Sequence, residues 1–151
     1  MTNNDVLRRV RYILKFDDLK MIEIFKLTDY DVDVAQLHLW LRKEEDPLLV
    51  DLSDKELAIF LNGMIIDSRG KREGPQPEPE EHLSNNLILR KLKIAFNLTS
   101  DDILDMFDSI DKHLGKHELS AFFRSPNHRS YRLCMDQYLR NFMNALQLRF
   151  G

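Results

Sequence analysis

Apolar residues recur every three or four positions in eight segments of the chain, and no segment alternates convincingly between apolar and polar residues. The first spacing is typical of helices that bury one face, whereas strict alternation would indicate half-buried strands. We therefore predict an all-α protein without a sheet. In the first half, the predicted inward residues are Val6, Leu7, Val10, Ile13 and Leu14; Met21, Ile22 and Phe25; Leu37, Trp40 and Leu41; and Leu57, Phe60, Leu61, Met64 and Ile65.

Polar residues mark where several of these helices begin. Ser53 is followed three residues later by Glu56, which is the spacing of a capping box. The second helix is predicted over about residues 18–27 and the third over about 34–43. Further predicted helix starts are the pair Thr99 and Asp102, the N-caps Asn4 and Asn86, and Asp31 or Asp33 before the third helix.

The two halves of the chain are copies of one unit. When the sequence is shifted by 82 residues, positions 3–69 align with 85–151 without a gap. Identical pairs include Asn3/Asn85, Asn4/Asn86, Arg8/Arg90, Phe25/Phe107, Arg42/Arg124, Asp54/Asp136, Leu57/Leu139, Phe60/Phe142 and Asn62/Asn144, and Trp40 aligns with Phe122. The chain therefore divides into a helical unit at 1–69, a linker at 70–84 and a second helical unit at 85–151.

The linker is rich in proline and glutamate, with Pro75, Pro77 and Pro79 at alternate positions. This pattern disfavours helix and favours an extended chain. Because a unit of about 67 residues is marginal in size on its own, we expect the two four-helix units to pack with pseudo-twofold symmetry.

Composition points to a soluble, cytoplasmic protein. Neither a spanning apolar run nor a signal peptide is found, so no membrane association is expected. Cys134 is the single cysteine, which excludes an intramolecular disulfide and suits a reducing compartment. It aligns with Leu52, and a residue that replaces leucine is expected to be a small core side chain rather than a nucleophile.

Charge is distributed unevenly between the units. Residues 1–69 carry 10 Lys and Arg against 14 Asp and Glu, and residues 85–151 carry 10 against 7. The preferred interpretation is that both units present ordinary solvated surfaces; the alternatives are that the two units attract each other, or that only the basic second unit faces an anionic partner. The candidate binding residues of the second unit are Arg90, Lys91, Lys93, Arg124, Arg129 and Arg132.

Two acidic or histidine-rich patterns are weak candidates for a metal. Asp29, Asp31 and Asp33 alternate as at the start of a calcium loop, but the glycine and the terminal glutamate of that loop are missing. His113 and His117 are four residues apart with Gly115 between them, and no acid or cysteine converges on them. We predict no metal and no cofactor, with Asp29 and Asp111 shaping turns.

Repeated polar pairs point to structural roles. Arg42 with Asp54, and Arg124 with Asp136, are expected to form an ion pair across the turn before the last helix of each unit. The Arg8/Arg90 and Asn62/Asn144 pairs could contribute to a binding site built twice, and a structural role is the preferred hypothesis for both.

The residues also resemble a known family. The segments Asn3-Asn4-Asp5-Val6-Leu7-Arg8, Trp40-Leu41-Arg42-Lys43-Glu44, Phe60-Leu61-Asn62-Gly63, Ser68-Arg69-Gly70-Lys71, Arg90-Lys91-Leu92, Arg124-Ser125-Pro126-Asn127-His128 and Asp136-Gln137-Tyr138-Leu139-Arg140 are similar to the YehS-like family of bacterial proteins. The resemblance spans the whole chain. It implies a cytoplasmic bacterial protein, and it supplies no catalytic residues because the family is one of unknown function.

These observations favour a non-enzymatic protein that binds another protein, as an adaptor does. The alternative is a nucleic-acid-binding regulator, since the second and third helices resemble a helix-turn-helix and the second unit is basic. The connection at 28–33 is long for that motif and has no glycine. Self-association stays open, as does a pocket that binds a small molecule or supports catalysis.

Overall fold

The computed structural model describes all 151 residues and contains eight helices and no strand, which confirms the predicted all-α class. In the first half lie α1 (Asn3–Leu14), α2 (Asp18–Lys26), α3 (Val34–Leu41) and α4 (Asp54–Arg69). In the second half lie α5 (Asn85–Ala95), α6 (Ser100–Ser109), α7 (Lys116–Phe122) and α8 (Asp136–Phe150). None of these helices combines the length and the apolar character that crossing a membrane requires.

The chain forms two compact units, Met1–His82 and Leu83–Gly151. The linker at 70–82 thus belongs to the first unit. In that unit, Pro77 lines a small cavity of about 90 Å³ together with Thr28 of the α2–α3 connection and Ile66 of α4. Gln76 donates a hydrogen bond to the backbone oxygen of Arg72 at 2.8 Å.

The core of the first unit is centred on Phe25 of α2. Its ring centroid lies 5.4 Å from that of Trp40 and 5.1 Å from that of Phe60, and all three side chains are buried. The predicted core is largely confirmed. Four of the predicted inward residues are only half-buried: Leu14, Ile22, Leu41 and Ile65. On α2 the buried stripe that faces α4 is formed by Met21, Ile24 and Phe25.

In the second unit, α6 packs on α8 as α2 packs on α4 in the first. The predicted inward residues of α8 are all buried: Leu139, Phe142, Met143 and Leu146. Phe122 is buried like its counterpart Trp40, and its ring centroid lies 5.3 Å from that of Tyr138.

Most of the predicted helix starts are confirmed. Complete capping boxes occur at Ser53 with Glu56 and at Thr99 with Asp102, and Asp33 caps α3 through the backbone N–H of Gln36. The predicted N-caps Asn4 and Asn86 are wrong. Thr2 and Ser84 cap α1 and α5, which leaves both asparagines inside their helices.

Candidate functional site

A buried asparagine of α1 holds the loop between α3 and α4, residues 42–53, which we call the α3–α4 loop. The Asn4 amide nitrogen donates to the backbone oxygens of Trp40 and Val50, each at 2.9 Å. Its side-chain oxygen accepts a hydrogen bond from the backbone N–H of Leu52 at 3.0 Å. One side chain therefore satisfies three backbone groups at both ends of the loop, which explains why a polar residue lies in the core.

The same arrangement recurs in the second unit around the loop between α7 and α8, residues 123–135, which we call the α7–α8 loop. Asn86 donates to the backbone oxygens of Phe122 at 3.0 Å and of Arg132 at 2.7 Å, and it accepts from the N–H of Cys134 at 2.9 Å. Every partner lies 82 residues after its counterpart in the first unit. The asparagine clamp is thus part of the duplicated unit.

Two neighbours extend each clamp. Asn85 donates to the backbone oxygen of Cys134 at 2.9 Å and to the Asp136 carboxylate at 2.7 Å. The hydrogen bond from Asn85 lowers the pKa of Asp136 below its ordinary value. The Arg90 guanidinium donates to the backbone oxygen of Phe123. The equivalent contacts in the first unit join Asn3 to Leu52 and Asp54, and Arg8 to the backbone oxygen of Arg42.

These contacts replace the ion pair that we predicted across the turn. Arg42 pairs with Asp46 at 3.0 Å, within the α3–α4 loop, rather than with Asp54. Arg124, its counterpart, is exposed at the start of the α7–α8 loop. The repeated aspartates at the starts of α4 and α8, Asp54 and Asp136, accept hydrogen bonds from Asn3 and Asn85 instead.

The signal for this clamp was present in the sequence. Asn4 precedes Leu7 by three residues and therefore lies on the apolar stripe of its helix, as Asn86 does before Leu89. An amide on a buried face must find hydrogen-bond partners, so a paired Asn at that position favours a structural polar contact over an N-cap.

Asn86→Ala is expected to lower the free energy of unfolding by about 2 kcal/mol, because it leaves three backbone groups without their partner. Urea denaturation followed by circular dichroism measures this loss. The control is Asn127→Ala, at an exposed asparagine of the same loop, which should change stability by less than about 0.5 kcal/mol. Equal effects of the two substitutions would contradict the assigned role of Asn86.

The two loops share one backbone conformation. Three backbone hydrogen bonds recur at equivalent positions. In the first loop, the N–H groups of Asp46, Leu49 and Val50 donate to the oxygens of Lys43, Asp46 and Leu39, respectively. In the second loop, the N–H groups of His128, Tyr131 and Arg132 donate to the oxygens of Ser125, His128 and Ala121. Together with the asparagine clamp, these bonds order both loops. An ordered loop presents its side chains without a large entropic cost on binding.

The side chains on this shared backbone have opposite charge. The α3–α4 loop contains two basic residues against four acidic ones, whereas the α7–α8 loop contains three arginines and no acidic residue. Each loop also exposes two large apolar side chains. These are Leu48 and Val50 in the first loop, and Leu133 and Met135 in the second, with exposed fractions of 59%, 40%, 57% and 59%.

Five of the six predicted binding residues lie in or beside the α7–α8 loop. Arg124, Arg129 and Arg132 are exposed within it, and Arg132 pairs with Glu118 of α7 at 3.1 Å. Lys93 of α5 places its ammonium group 5.2 Å from the ring centroid of Phe123 in the loop, and Arg90 is the residue bonded to the backbone oxygen of Phe123. The exception is Lys91, which is buried and so does not belong to this exposed set.

The residues considered for metal binding and nucleophilic chemistry have structural roles or are exposed. Asp29 and Asp111 adopt left-handed backbone conformations in the turns before α3 and α7, as their predicted turn-shaping role requires. His113 and His117 are exposed, and no group of three or more potential ligands is placed to hold a metal ion. Burial raises the pKa of the Cys134 thiol to about 12, which keeps it protonated as a core residue.

A polar cluster that the sequence did not suggest joins three helices of the first unit. The Asp18 carboxylate lies 2.8 Å from His38 of α3 and 2.8 Å from Arg11 of α1. The hydrogen bond with His38 is the main cause that lowers the pKa of Asp18. The counterparts in the second unit are Ser100, Ser120 and Lys93, so this cluster is not repeated.

The helix-turn-helix resemblance does not extend to the geometry of that motif. The connection between α2 and α3 spans residues 27–33, and α3 has only 8 residues. In the second unit the connection spans 110–115, and α7 has 7 residues. A DNA-reading pair normally has a turn of about three or four residues, so these helices differ from it in the way that the sequence indicated.

The fold and its repeated loop clamp define the class: a duplicated all-α protein with one ordered, charged loop in each unit. The model of a family described as a protein of unknown function (DUF1456) matches residues 3–70 and again 85–150. The chain belongs to this family, and the resemblance to YehS-like bacterial proteins is confirmed. The chain is 41% identical over 150 residues to the Uncharacterized protein YehS of Escherichia coli (strain K12), and the match covers 99% of this chain and 96% of that protein. No solved structure matches the chain.

Proposed function

We propose that this is a non-enzymatic protein-binding module, and that the α7–α8 loop is its binding surface. The observation that carries the proposal is the exposure of Leu133 and Met135 on a loop that Asn86 holds in place. Apolar side chains on an ordered surface contribute to the binding free energy, whereas a flexible loop loses part of that contribution to the entropic cost of becoming ordered. Because the single cysteine suits a reducing compartment, we expect the partner in the cytoplasm.

The internal repeat indicates which substitutions the loop can tolerate. Leu133 and Met135 align with Asp51 and Ser53 of the first unit, where Ser53 caps α4. Met135 occupies the N-cap position of α8 without a side-chain hydrogen bond. The double variant Leu133→Asp, Met135→Ser therefore removes both apolar side chains and supplies a cap, so stability should be retained.

The test uses a photo-crosslinking amino acid at Ser130, an exposed position of the loop, in the full chain expressed in bacteria. We expect a crosslink to a defined protein that disappears in the Leu133→Asp, Met135→Ser variant. The control places the same probe at Ser109, an exposed residue at the end of α6. No protein adduct from Ser130, or the same adducts from both positions, would refute the proposal.

A second candidate function is nucleic-acid binding through the second unit. The observation that favours it is the α7–α8 loop itself, with three arginines and no carboxylate, beside Lys93 and Arg90. Arginine contacts with phosphate dominate the affinity of such proteins and make it dependent on salt. If the chain binds nucleic acid in this way, the acidic first unit contributes little to the affinity.

This candidate is tested by titrating labelled DNA and RNA with the full chain at about 50 and 200 mM salt. Arg124→Glu with Arg129→Glu should abolish binding, whereas Lys43→Glu in the first loop should leave it unchanged. The candidate fails if the wild-type chain does not bind near physiological salt, or if the double variant binds as well as the wild type.

A further inference from the structure

The duplication has placed opposite charges on the same structural element. The two loops share one backbone conformation and have equivalent asparagine clamps. The α3–α4 loop contains two basic and four acidic residues, whereas the α7–α8 loop contains three basic residues and no acidic one. Each loop exposes two apolar side chains, at positions that are not equivalent: Leu48 and Val50 in the first, Leu133 and Met135 in the second. The loops are therefore complementary to each other in charge and similar in apolar character.

We propose that the α7–α8 loop of one molecule binds the α3–α4 loop of a second copy of this chain. The inference rests on the proposed function, since it names the protein that the α7–α8 loop recognises. Arg124 and Arg129 of one copy face Glu44 and Glu45 of the other, and the apolar side chains of the two loops come together beside these charges.

The charges of the two loops determine which loops pair with each other. Two α7–α8 loops repel each other, because the loop itself contains no acidic residue and only Arg132 of its three arginines is paired, with Glu118 of α7. Two α3–α4 loops repel each other as well, through their excess of acidic residues. Opposite loops attract, so that charge selects the pairing, and the exposed apolar side chains gain free energy where they are buried in the contact.

Hydrogen bonds within each unit hold both loops in place before any contact between molecules forms. Asn4 and Asn86 satisfy the backbone at each end of the loops, and Arg42 is paired with Asp46 inside the first loop. The acids that remain available are Glu44, Glu45 and Asp51, all exposed. Each molecule carries one loop of each kind, so every copy can contribute either loop to the contact.

Sedimentation velocity over a series of protein concentrations tests the proposal with the full chain. The wild type should self-associate, and raising the salt from about 50 to 500 mM should weaken the association about tenfold or more. Arg124→Glu with Arg129→Glu should weaken it by a similar factor, as should Glu44→Arg with Glu45→Arg. Lys112→Glu with Lys116→Glu makes the same change in net charge as the Arg124→Glu, Arg129→Glu variant, but outside the loop, and should have no effect.

Mixing the two loop variants gives the sharpest result. The Arg124→Glu, Arg129→Glu variant has two acidic loops and the Glu44→Arg, Glu45→Arg variant has two basic loops, so each should self-associate weakly alone, and the two should associate with each other more strongly than either does with itself. Failure of the mixture to associate, or a wild type that stays monomeric throughout the series at low salt, overturns the proposal.

The crosslink from Ser130 separates this inference from the proposed function. A crosslink to a second copy of the chain supports both. An adduct only with a different protein retains the protein-binding function and overturns self-association, whereas the absence of any protein adduct overturns both.

Discussion

Trp40→Ala is expected to lower the free energy of unfolding of the first unit by about 3–5 kcal/mol. Trp40 is 2% exposed, and its ring centroid lies 5.4 Å from that of Phe25 at the centre of the core. Truncation would leave a cavity where the indole ring now packs against Phe25. Denaturant unfolding followed by circular dichroism measures the effect, since the variant lacks the single tryptophan of the chain.

The matched control is Trp40→Phe, because Phe122 occupies the equivalent buried position of the second unit. Phenylalanine retains the aromatic contact with Phe25, so this variant should lose clearly less stability than Trp40→Ala. A loss under about 1 kcal/mol for the alanine variant would show that Trp40 does not support the core.

Gly63→Ala is expected to destabilise the first unit by about 3 kcal/mol, at the upper end for overpacking. Gly63 lies in α4 where that helix crosses α2, and a Cβ atom there would stand 2.2 Å from the backbone oxygen of Ile24. That oxygen belongs to the helix backbone and cannot rotate away. The two helices would have to separate, which would loosen the contact of Ile24 and Phe25 with α4.

The second unit provides the control for this substitution. Ala145 is the counterpart of Gly63 and is fully buried in α8, so the second unit already accommodates a Cβ at this position. Ala145→Gly should cost only about 1 kcal/mol, from the lower helix propensity of glycine and the lost methyl group. If Gly63→Ala is as mild as that, or stabilising, α2 and α4 are not in the close contact described above. Thermal unfolding of both variants decides between these outcomes.

Local patterns in the sequence predicted much of the fold. Helical spacing identified the buried faces of α1 and α4, and short-range capping signals such as Ser53 with Glu56 predicted where α4 begins. These features depend on residues within four positions of each other, and the sequence displays such neighbours directly. The repeat gave a second, independent reading of the same helices.

Contacts between distant residues were predicted less well. Asn4 was assigned to a cap, whereas its partners lie 36 to 48 residues away at Trp40, Val50 and Leu52. Lys91 is among the predicted candidate binding residues, but it is buried. A pattern along one helix shows which residues share a face, but it does not show which groups that face meets.

In the candidate site, too, the sequence shows local properties and the tertiary structure adds the contacts between distant residues. The sequence by itself determined that the chain is a duplicated all-α protein, where its helices run, and that Arg124, Arg129 and Arg132 make the second unit basic. Only the tertiary structure decided that Asn86 holds the backbone of the loop that carries these arginines, and that the acidic α3–α4 loop is its structural equivalent. The physical reason is that charge and periodicity are properties of the chain, whereas the partners of a buried amide depend on how distant segments pack.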